Sequence, residues 1–173
     1  KKYKNKKGQE KHWMVSSRKS KEELEKVYLE NKEDKIDAVV ICALHKAQNK
    51  LVLINQYRVP INKYIYELPA GLVDNNEDIE TSVRRELKEE TGSTNYRIIN
   101  SFETKICFSF PKAHKYDRQE TVMFYVEYLG NREELKPQDK EIDIVRFFDK
   151  DELMGALCHE ETHKFLNEVF NKI

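Results

Sequence analysis

The sequence predicts an α+β domain that follows a polar N-terminal arm. Two neighbouring β-rich runs, a strand, loop and helix unit after them, and helical stretches at the end of the sequence predict this fold class. The 173 residues include 39% hydrophobic side chains, which suffice for one core, and 36% charged side chains, which suit a polar surface. No repeat or long linker divides the sequence, so we expect an arm at residues 1–35 and one main domain at residues 36–173.

The arm carries one predicted helix and a short extended segment. Five of the first seven residues are lysine, and we expect this basic start to be a flexible end. The alternation in His12–Ser16 places Trp13 and Val15 on one side of an extended segment. The stretch Ser20–Asn31, rich in Glu and Lys, is predicted to be a helix.

The main domain contains strands followed by helices. A short polar turn at residues 48–50 predicts that the first two strands form a hairpin. Pro69, Ala70 and Gly71 are expected to end the third strand, and Gly92 to end the long helix. The predicted strands are Ile36–Leu44, Leu51–Tyr57, Tyr64–Leu68, Tyr96–Glu103, Thr121–Leu129 and Ile142–Phe148, and the predicted helices are Glu77–Thr91, Asp151–Ala156 and Glu160–Asn171.

Charge and cysteine content limit the partners and the compartment. Lys plus Arg and Asp plus Glu each number 31, so the formal net charge is zero and no global basic field favours nucleic acid. The longest apolar run, Ala38–Leu44, is far shorter than the ~20 residues of a membrane span, and the first residues lack the apolar region of a signal peptide. We therefore expect a soluble protein that is not exported. Three widely spaced cysteines without a CxxC pair indicate a reducing cytoplasm, not a disulfide framework or a cysteine zinc site.

Three glutamates on the long predicted helix are the first candidate site. Glu86 and Glu90 are four residues apart and Glu89 lies beside them, so the carboxylates share one stretch of surface. Clustered oxygen ligands suit Mg²⁺ or Mn²⁺ together with the phosphate oxygens of a substrate. A bare pair of glutamates at this spacing is more often a solvated helix face, and the surrounding residues decide between the two interpretations.

The residues around these glutamates follow a long fixed pattern. Its positions fit GX5EX7REUXEEXGU, in which U is a bulky aliphatic residue, except that the last U is Ser93. Agreement at so many fixed spacings is far more specific than a lone GxGxxG. The chain therefore resembles the Nudix hydrolase superfamily. The matching residues are Gly71, Glu77, Arg85, Glu86, Leu87, Glu89, Glu90 and Gly92.

The resemblance implies an α/β/α sandwich with a mixed sheet and a centre for catalytic divalent cations, Mg²⁺ or Mn²⁺. The metal ligands that it implies are Glu86, Glu89, Glu90 and the carbonyl of Ala70. Arg85 and Glu77 would hold the loop and orient these ligands, while Leu87 would point into the core. Ser93 stands where a bulky residue normally packs, so we expect a locally looser core there.

The residues before the pattern resemble one subfamily. Gln56-Tyr57-Arg58-Val59-Pro60 and Tyr66-Glu67-Leu68-Pro69-Ala70-Gly71 are similar to the approach sequence of ADP-ribose pyrophosphatases. Arg58 is a candidate diphosphate ligand or a surface salt bridge, and Glu67 a candidate ligand contact or a backbone cap. The resemblance makes Trp13 a candidate for stacking on adenine, with core or dimer packing as the alternative. It also implies a homodimer with exchanged N-terminal arms.

The expected reaction is metal-dependent hydrolysis of ADP-ribose to AMP and ribose 5-phosphate. The resembling enzymes take their general base from a later loop, for which Glu141 is the first candidate and Glu120 the second. The charged loop around Pro111 is a candidate contact for the terminal sugar or phosphate; it holds Lys112, His114, Lys115, Asp117, Arg118 and Glu120.

Other functions stay open from the sequence. Another sugar nucleotide or dinucleotide, such as GDP-mannose, a dinucleoside polyphosphate or NADH, would fit the same pattern. A nucleotide sensor without turnover is a further alternative, against which the intact glutamates argue. His159-Glu160-Glu161-Thr162-His163 matches the HExxH pattern of zinc proteases, but its flank is polar and no compelling third ligand follows.

Overall fold

Two compact units make up the chain, Lys1–Lys35 and Ile36–Ile173. A computed structural model of the protein describes residues 2–12, 20–30, 36–99, 104–109, 118–157 and 160–172. Within these ranges, no helix combines the length and the apolar character that crossing a membrane requires.

The first unit contains a hairpin and a helix. Strand β1 (Lys2–Lys4) pairs with β2 (Glu10–His12) in antiparallel register, a hairpin that the sequence did not predict. The turn between them includes Gly8 at φ +74°, a conformation that glycine adopts without steric cost. Helix α1 (Lys21–Leu29) begins after Ser20, whose hydroxyl accepts from the Glu23 amide in a capping box.

The described residues of the second unit form one eight-stranded sheet. Its strands are β3 (Ala38–His45), β4 (Lys50–Arg58), β5 (Lys63–Glu67), β6 (Ala70–Leu72), β7 (Tyr96–Ile98), β8 (Thr104–Ser109), β9 (Arg118–Tyr128) and β10 (Ile142–Phe148). The central order is β10-β4-β3-β9-β7, and β5 pairs with β4, β6 with β3 and β8 with β9. Strands β3 and β9 are parallel and the other pairs are antiparallel, which confirms the predicted mixed sheet. The helices are α2 (Ile79–Thr91), α3 (Lys150–Ala156) and α4 (Glu160–Lys172).

The two faces of the sheet bury different helices. Val39 and Ile41 of β3 pack in one cluster with Val83 and Leu87 of α2, so Leu87 lies in the core. Alternate residues of the same strands pack in a second cluster with α3 and α4, whose members include Leu153 and Leu166. Burying each such aliphatic side chain stabilises the fold by about 1.5–3 kcal/mol. Helices on both faces of the sheet confirm the predicted α/β/α sandwich.

The third strand ends where the sequence predicts, but the residues after it form a further strand that the sequence did not predict. Pro69, Ala70 and Gly71 were expected to end the third strand, and the chain does leave β5 at Glu67. It resumes at once as β6, which pairs with β3 through Val39 opposite Gly71. The carbonyl of Pro69 accepts from the Ile41 amide at 2.7 Å. Pairing across the sheet therefore outweighs the local preference of these residues for a turn.

The C-terminal end of α2 is shaped by Gly92. This residue has φ +78° and its N–H donates to the Lys88 carbonyl at 2.9 Å. A Cβ at this position would overlap the carbonyl oxygen of Lys136. The segment that precedes β10 thus lies directly against the helix end.

Ser93, the departure from the family pattern, is buried beneath this helix end. Its hydroxyl accepts from the Asn95 amide at 3.2 Å. Beside it, the Tyr96 hydroxyl donates to the Thr91 hydroxyl at 2.8 Å, which donates in turn to the Leu87 carbonyl at 2.5 Å. Hydrogen-bonded polar groups therefore occupy the place where a bulky aliphatic residue was expected.

Replacing Gly92 with alanine tests the close approach of Lys136. We expect Gly92→Ala to lower the free energy of unfolding by at least about 1–2 kcal/mol, the cost of a left-handed conformation for a non-glycine residue. Urea unfolding measures the change. Gly155→Ala in α3 is the matched control, because nothing lies within 4 Å of the added Cβ and alanine favours a helix. Equal stabilities of the two variants would contradict the prediction.

Candidate active site

The site forms where helix α2 lies against strand β6. A Cβ added to Gly71 would overlap the carboxyl group of Glu86, so only glycine lets the carboxylate approach the strand this closely. One turn later, the Glu90 carboxylate accepts from the backbone N–H of Ala70 at 2.9 Å. Residues four apart on the helix thus bring two carboxylates to consecutive residues of β6.

Arg85 ties the loop between β6 and α2 to the same carboxylates. Its Nη2 donates to the Leu72 carbonyl at 2.8 Å. Its Nε and Nη2 donate to the two oxygens of Glu77 at 3.1 and 3.0 Å, a bidentate pair. Its Nη1 donates to Glu86 at 2.6 Å. One guanidinium group therefore holds both ends of the loop and the orientation of Glu86.

Glu77 is the ionised partner in this arrangement. Its carboxylate also accepts from the Ser82 hydroxyl at 2.6 Å and from the Asp74 amide at 3.3 Å. The hydrogen bonds from Arg85, and then that from Ser82, lower the pKa of Glu77 to about 2. The carboxylate is therefore charged throughout the ordinary pH range.

The pKa values of the two carboxylates against β6, Glu86 and Glu90, shift in the opposite direction from that of Glu77. Burial raises the pKa of Glu90 to about 8, although the Ala70 amide acts in the other direction. Burial also raises the pKa of Glu86, against the effect of Arg85. Glu89 is exposed, and one of its oxygens lies 3.4 Å from Arg85 Nη1. Two of the three predicted carboxylate ligands therefore share a buried acidic site.

This donor set fits a hard divalent cation. Two desolvated carboxylates would bind Mg²⁺ or Mn²⁺ in place of the water that burial removed. Glu86 and Glu90 would hold the ion, and Glu89 is the further predicted ligand on the helix surface. In the described parts of the chain, no group of three or more His, Cys, Asp or Glu side chains is already arranged around one metal position. The carbonyl ligand assigned to Ala70 stays a prediction.

Strands β4 and β5 supply two more of the predicted residues. Ile54 of β4 packs in the same cluster as Val83 of α2, so Arg58, four residues along the strand, lies on the same face. The Nε of Arg58 donates to Glu67 Oε2 at 2.6 Å. The structure thus brings these two candidate binding residues together as an ion pair with partly exposed side chains. Their roles toward a substrate stay predictions.

Glu141, the first candidate base, lies in the segment that precedes β10. Its side chain is exposed, and Oε2 lies 3.5 Å from Nε2 of Gln56 on β4. The sequence did not single out Gln56 or Asp139, whose carboxylate accepts from the Glu141 amide at 2.8 Å. Two signals were available for Gln56, namely its alternation with Ile54 and Arg58 and its place in the segment that resembles ADP-ribose pyrophosphatases. Glu120, the second candidate, lies in β9 opposite Cys107 of β8.

Several sequence-based candidates fall outside the described residues. These are Trp13, the loop residues 110–117 and His159 of the HExxH match. The second histidine of that match, His163 of α4, has its Nε2 at 2.8 Å from the Leu157 carbonyl. A backbone contact therefore engages this ring nitrogen.

A comparison with known families identifies the fold. The family model described as NUDIX domain matches residues 34–169, which is more than half of the chain. The matched region includes every residue of the arrangement around α2 and β6.

Three curated relatives show how similar proteins are named. Putative nudix hydrolase 2 of Caenorhabditis elegans is 46% identical over 77 residues, 43% of this chain and 34% of that protein. ADP-ribose pyrophosphatase of Saccharomyces cerevisiae is 41% identical over 61 residues, 33% of this chain and 26% of that protein. RNA pyrophosphohydrolase of Pelagibacter ubique is 34% identical over 115 residues, 62% of this chain and 66% of that protein. The chain spans only about a third or less of the length of the first two relatives.

Solved structures share the fold at low sequence identity. A binary complex of the C. elegans Ap4A hydrolase superposes with a TM-score of 0.63 and 16% identity, covering 78% of this chain and 96% of that chain. The NUDIX domain of Shewanella oneidensis NrtR, complexed with ADP ribose, superposes with a TM-score of 0.58 and 14% identity, covering 89% and 99%. At these identities the likeness shows the fold alone.

Replacing Gly71 with alanine tests whether close packing orients Glu86. We expect Gly71→Ala to displace the Glu86 carboxylate and to weaken Mn²⁺ binding about 10- to 100-fold, the usual effect of disturbing a group that orients a ligand. Isothermal titration calorimetry measures the affinity, and far-UV circular dichroism checks the fold. Gly155→Ala is the control and keeps the affinity. An unchanged affinity in Gly71→Ala would contradict the proposed packing role.

Replacing Glu77 with glutamine tests the ion pair through its pH dependence. Because folding lowers the pKa of Glu77 to about 2, its charge stabilises the fold above the unfolded pKa of about 4.3. This contribution is lost as the pH falls through the folded value. The stability difference between the wild type and Glu77→Gln should therefore be constant above about pH 5 and shrink toward pH 2.

Urea unfolding between pH 7 and pH 3 measures this difference. Glu80→Gln removes one negative charge from the exposed first turn of the same helix and controls for net charge. A difference between the wild type and Glu77→Gln that grows on acidification would refute the pairing.

Proposed function

Because the chain belongs to the Nudix family, we propose that it is a divalent-cation-dependent pyrophosphohydrolase that splits ADP-ribose into AMP and ribose 5-phosphate. The observation that carries this proposal is the pair of buried carboxylates, Glu86 and Glu90, held against β6 by Gly71, Ala70 and Arg85. The cation and the reaction both require a dense negative site of this kind.

The residues of α2 would prepare the site for a metal and a diphosphate. A bound divalent cation supplies charge neutralisation for the phosphates and lowers the pKa of a water molecule. Glu90 and Glu86 would be held in fixed positions before binding, because the Ala70 amide and Arg85 already contact them. Such preorganisation reduces the rearrangement needed when substrate arrives.

Arg58 is proposed to bind the diphosphate. Its planar guanidinium group matches phosphate oxygens in a bidentate manner, and its side chain is partly exposed beside Glu67. Glu67 would hold the group in place until a phosphate replaces the carboxylate as partner. Arg58 lies within electrostatic reach of Glu90, where its charge opposes the rise in pKa that burial causes.

Glu141 is proposed as the general base. Its exposed carboxylate would take a proton from the attacking water, whose oxygen forms a bond to one phosphorus atom. The bridging P–O bond then breaks, and the bridging oxygen leaves with the other phosphate. One water molecule is consumed, and AMP and ribose 5-phosphate each carry one terminal phosphate.

Sequence similarity favours ADP-ribose over other substrates. The segments around Arg58 and Glu67 resemble those of ADP-ribose pyrophosphatases, and two relatives carry that name. Trp13 is the proposed adenine-stacking residue, and the arm of residues 1–35 the proposed dimer contact. The relative named RNA pyrophosphohydrolase aligns over more of the chain, so RNA with a 5′ phosphoanhydride belongs among the substrates to be tested.

Turnover assays with Glu90→Gln test the proposal. We expect the wild type with Mg²⁺ to release AMP and ribose 5-phosphate from ADP-ribose, and EDTA to abolish the activity. Glu90→Gln should lower kcat by at least about 100-fold, because it changes a metal ligand and not merely its support. Chromatography of the products measures both effects. Glu80→Gln, on the exposed side of the same helix, should keep the activity.

A substrate panel decides between the remaining alternatives. It contains GDP-mannose, a dinucleoside polyphosphate, NADH and 5′-triphosphorylated RNA, each with Mg²⁺ or Mn²⁺. A higher kcat/KM for another member would overturn ADP-ribose as the substrate. Binding of nucleotides without any turnover would overturn the enzyme and favour a sensor.

A further inference from the structure

Gln56 is a buried polar residue in β4, a strand whose residues 51–54 are all apolar core residues. It is 8% exposed and lies between the core residue Ile54 and the predicted ligand Arg58 on one face of β4. A buried amide costs about 1–3 kcal/mol when it lacks a hydrogen-bond partner. Its side-chain NH₂ finds a partner in Glu141, whose carboxylate oxygen lies 3.5 Å away.

The main chain around Glu141 is fixed at two places. On the side of β4, the Tyr57 amide donates to the Glu141 carbonyl at 3.0 Å. On the side of α2, the amides of Gln138 and Asp139 donate to the Glu89 carbonyl at 2.8 and 3.2 Å. The segment 138–141 therefore bridges the strand that carries Arg58 and the helix that carries Glu86 and Glu90.

Within this fixed segment the Glu141 side chain extends into solvent. The Asp139 carboxylate accepts from the Glu141 amide at 2.8 Å and so caps the backbone, not the side chain. The register of β10 against β4 shifts between Ile142 and Ile144, an irregularity that redirects the chain next to Gln56. Among the residues that the structure describes, the amide of Gln56 is the group that reaches the Glu141 carboxylate.

We infer that Gln56 is a positioning residue that selects one orientation of the exposed Glu141 carboxylate. This inference rests on the proposed function, in which Glu141 accepts a proton from water. A glutamate side chain in solvent populates several rotamers, and a donor on a rigid strand selects one of them. Contacts of this type are long without substrate and shorten when substrate binds. Misplacing a catalytic group by about 1 Å lowers a rate by up to about 100-fold.

Gln56→Met tests the inference because methionine has a similar length but no amide donor. We expect kcat for ADP-ribose to fall about tenfold while KM and the Mn²⁺ affinity stay unchanged. Gln48→Met, in the exposed turn between β3 and β4, is the matched control and should leave kcat, KM and the Mn²⁺ affinity unchanged. An unchanged kcat in Gln56→Met would overturn the inference.

A double-mutant cycle with Glu141→Gln separates positioning from a general structural effect. If Gln56 acts through Glu141, Gln56→Met should lower kcat no further in the Glu141→Gln background. Losses that multiply in the double variant would show that Gln56 acts independently of Glu141, and would overturn the inference.

A spectroscopic readout keeps the test independent of activity. The side-chain amide signals of Gln56, identified by their loss in Gln56→Met, should shift in the ¹⁵N–¹H spectrum of Glu141→Gln. Unshifted signals would exclude the contact, even in an active enzyme. Shifted signals in a wild type that cleaves no substrate of the panel would support the contact and refute the proposed function instead.

Discussion

The rest of the site depends on the hydrogen bonds that the guanidinium group of Arg85 makes. This group contacts the backbone at Leu72, the carboxylate of Glu77 and the carboxylate of Glu86. Without it, Asp78 would still cap the helix by accepting from the Thr81 amide, but Glu86 would lose the positive charge that lies 2.6 Å from its carboxylate. The guanidinium group is itself held in place by its bidentate pair with Glu77. The ion pair between Arg85 and Glu77 therefore supports Glu86, the proposed metal-binding carboxylate.

The site is built against the electrostatic preference of its own helix. Glu89 and Glu90 lie in the last turn of α2, where the carbonyl ends of the helix disfavour negative charge by about 0.3–1 kcal/mol. Burial adds a further cost for Glu86 and Glu90. The apolar anchors Val83 and Leu87, both fully buried, offset these costs. Together with Glu86 and Glu90 they follow the i, i+3, i+4, i+7 spacing of a single helix face. Core packing and the candidate site thus share one buried face of α2.

The sequence predicted those parts of the structure that depend on short-range patterns. The α2 helix with its Gly92 end, the hairpin of β3 and β4 and the β10 strand follow from periodicity and turn residues, and the glutamate pattern predicted the candidate site. It did not predict β6, because the pairing of Gly71 with Val39 of β3 outweighs the local turn preference. It also did not connect Gln56 with Glu141. These residues are 85 positions apart, and only the antiparallel pairing of β4 with β10 brings them together.

The parallel pairing of β3 with β9 has a consequence for the order of folding. Ala38 lies opposite Thr121, so the centre of the sheet closes only after a long stretch of chain is available. Contacts between residues so distant in sequence slow folding, because the entropy of a large loop is lost before the contact forms. The hairpin of β3 and β4 and the helix α2 rely on nearer contacts and are expected to form earlier. During synthesis on the ribosome, the sheet beneath the buried carboxylates therefore lacks the parallel partner of β3 until β9 has been made.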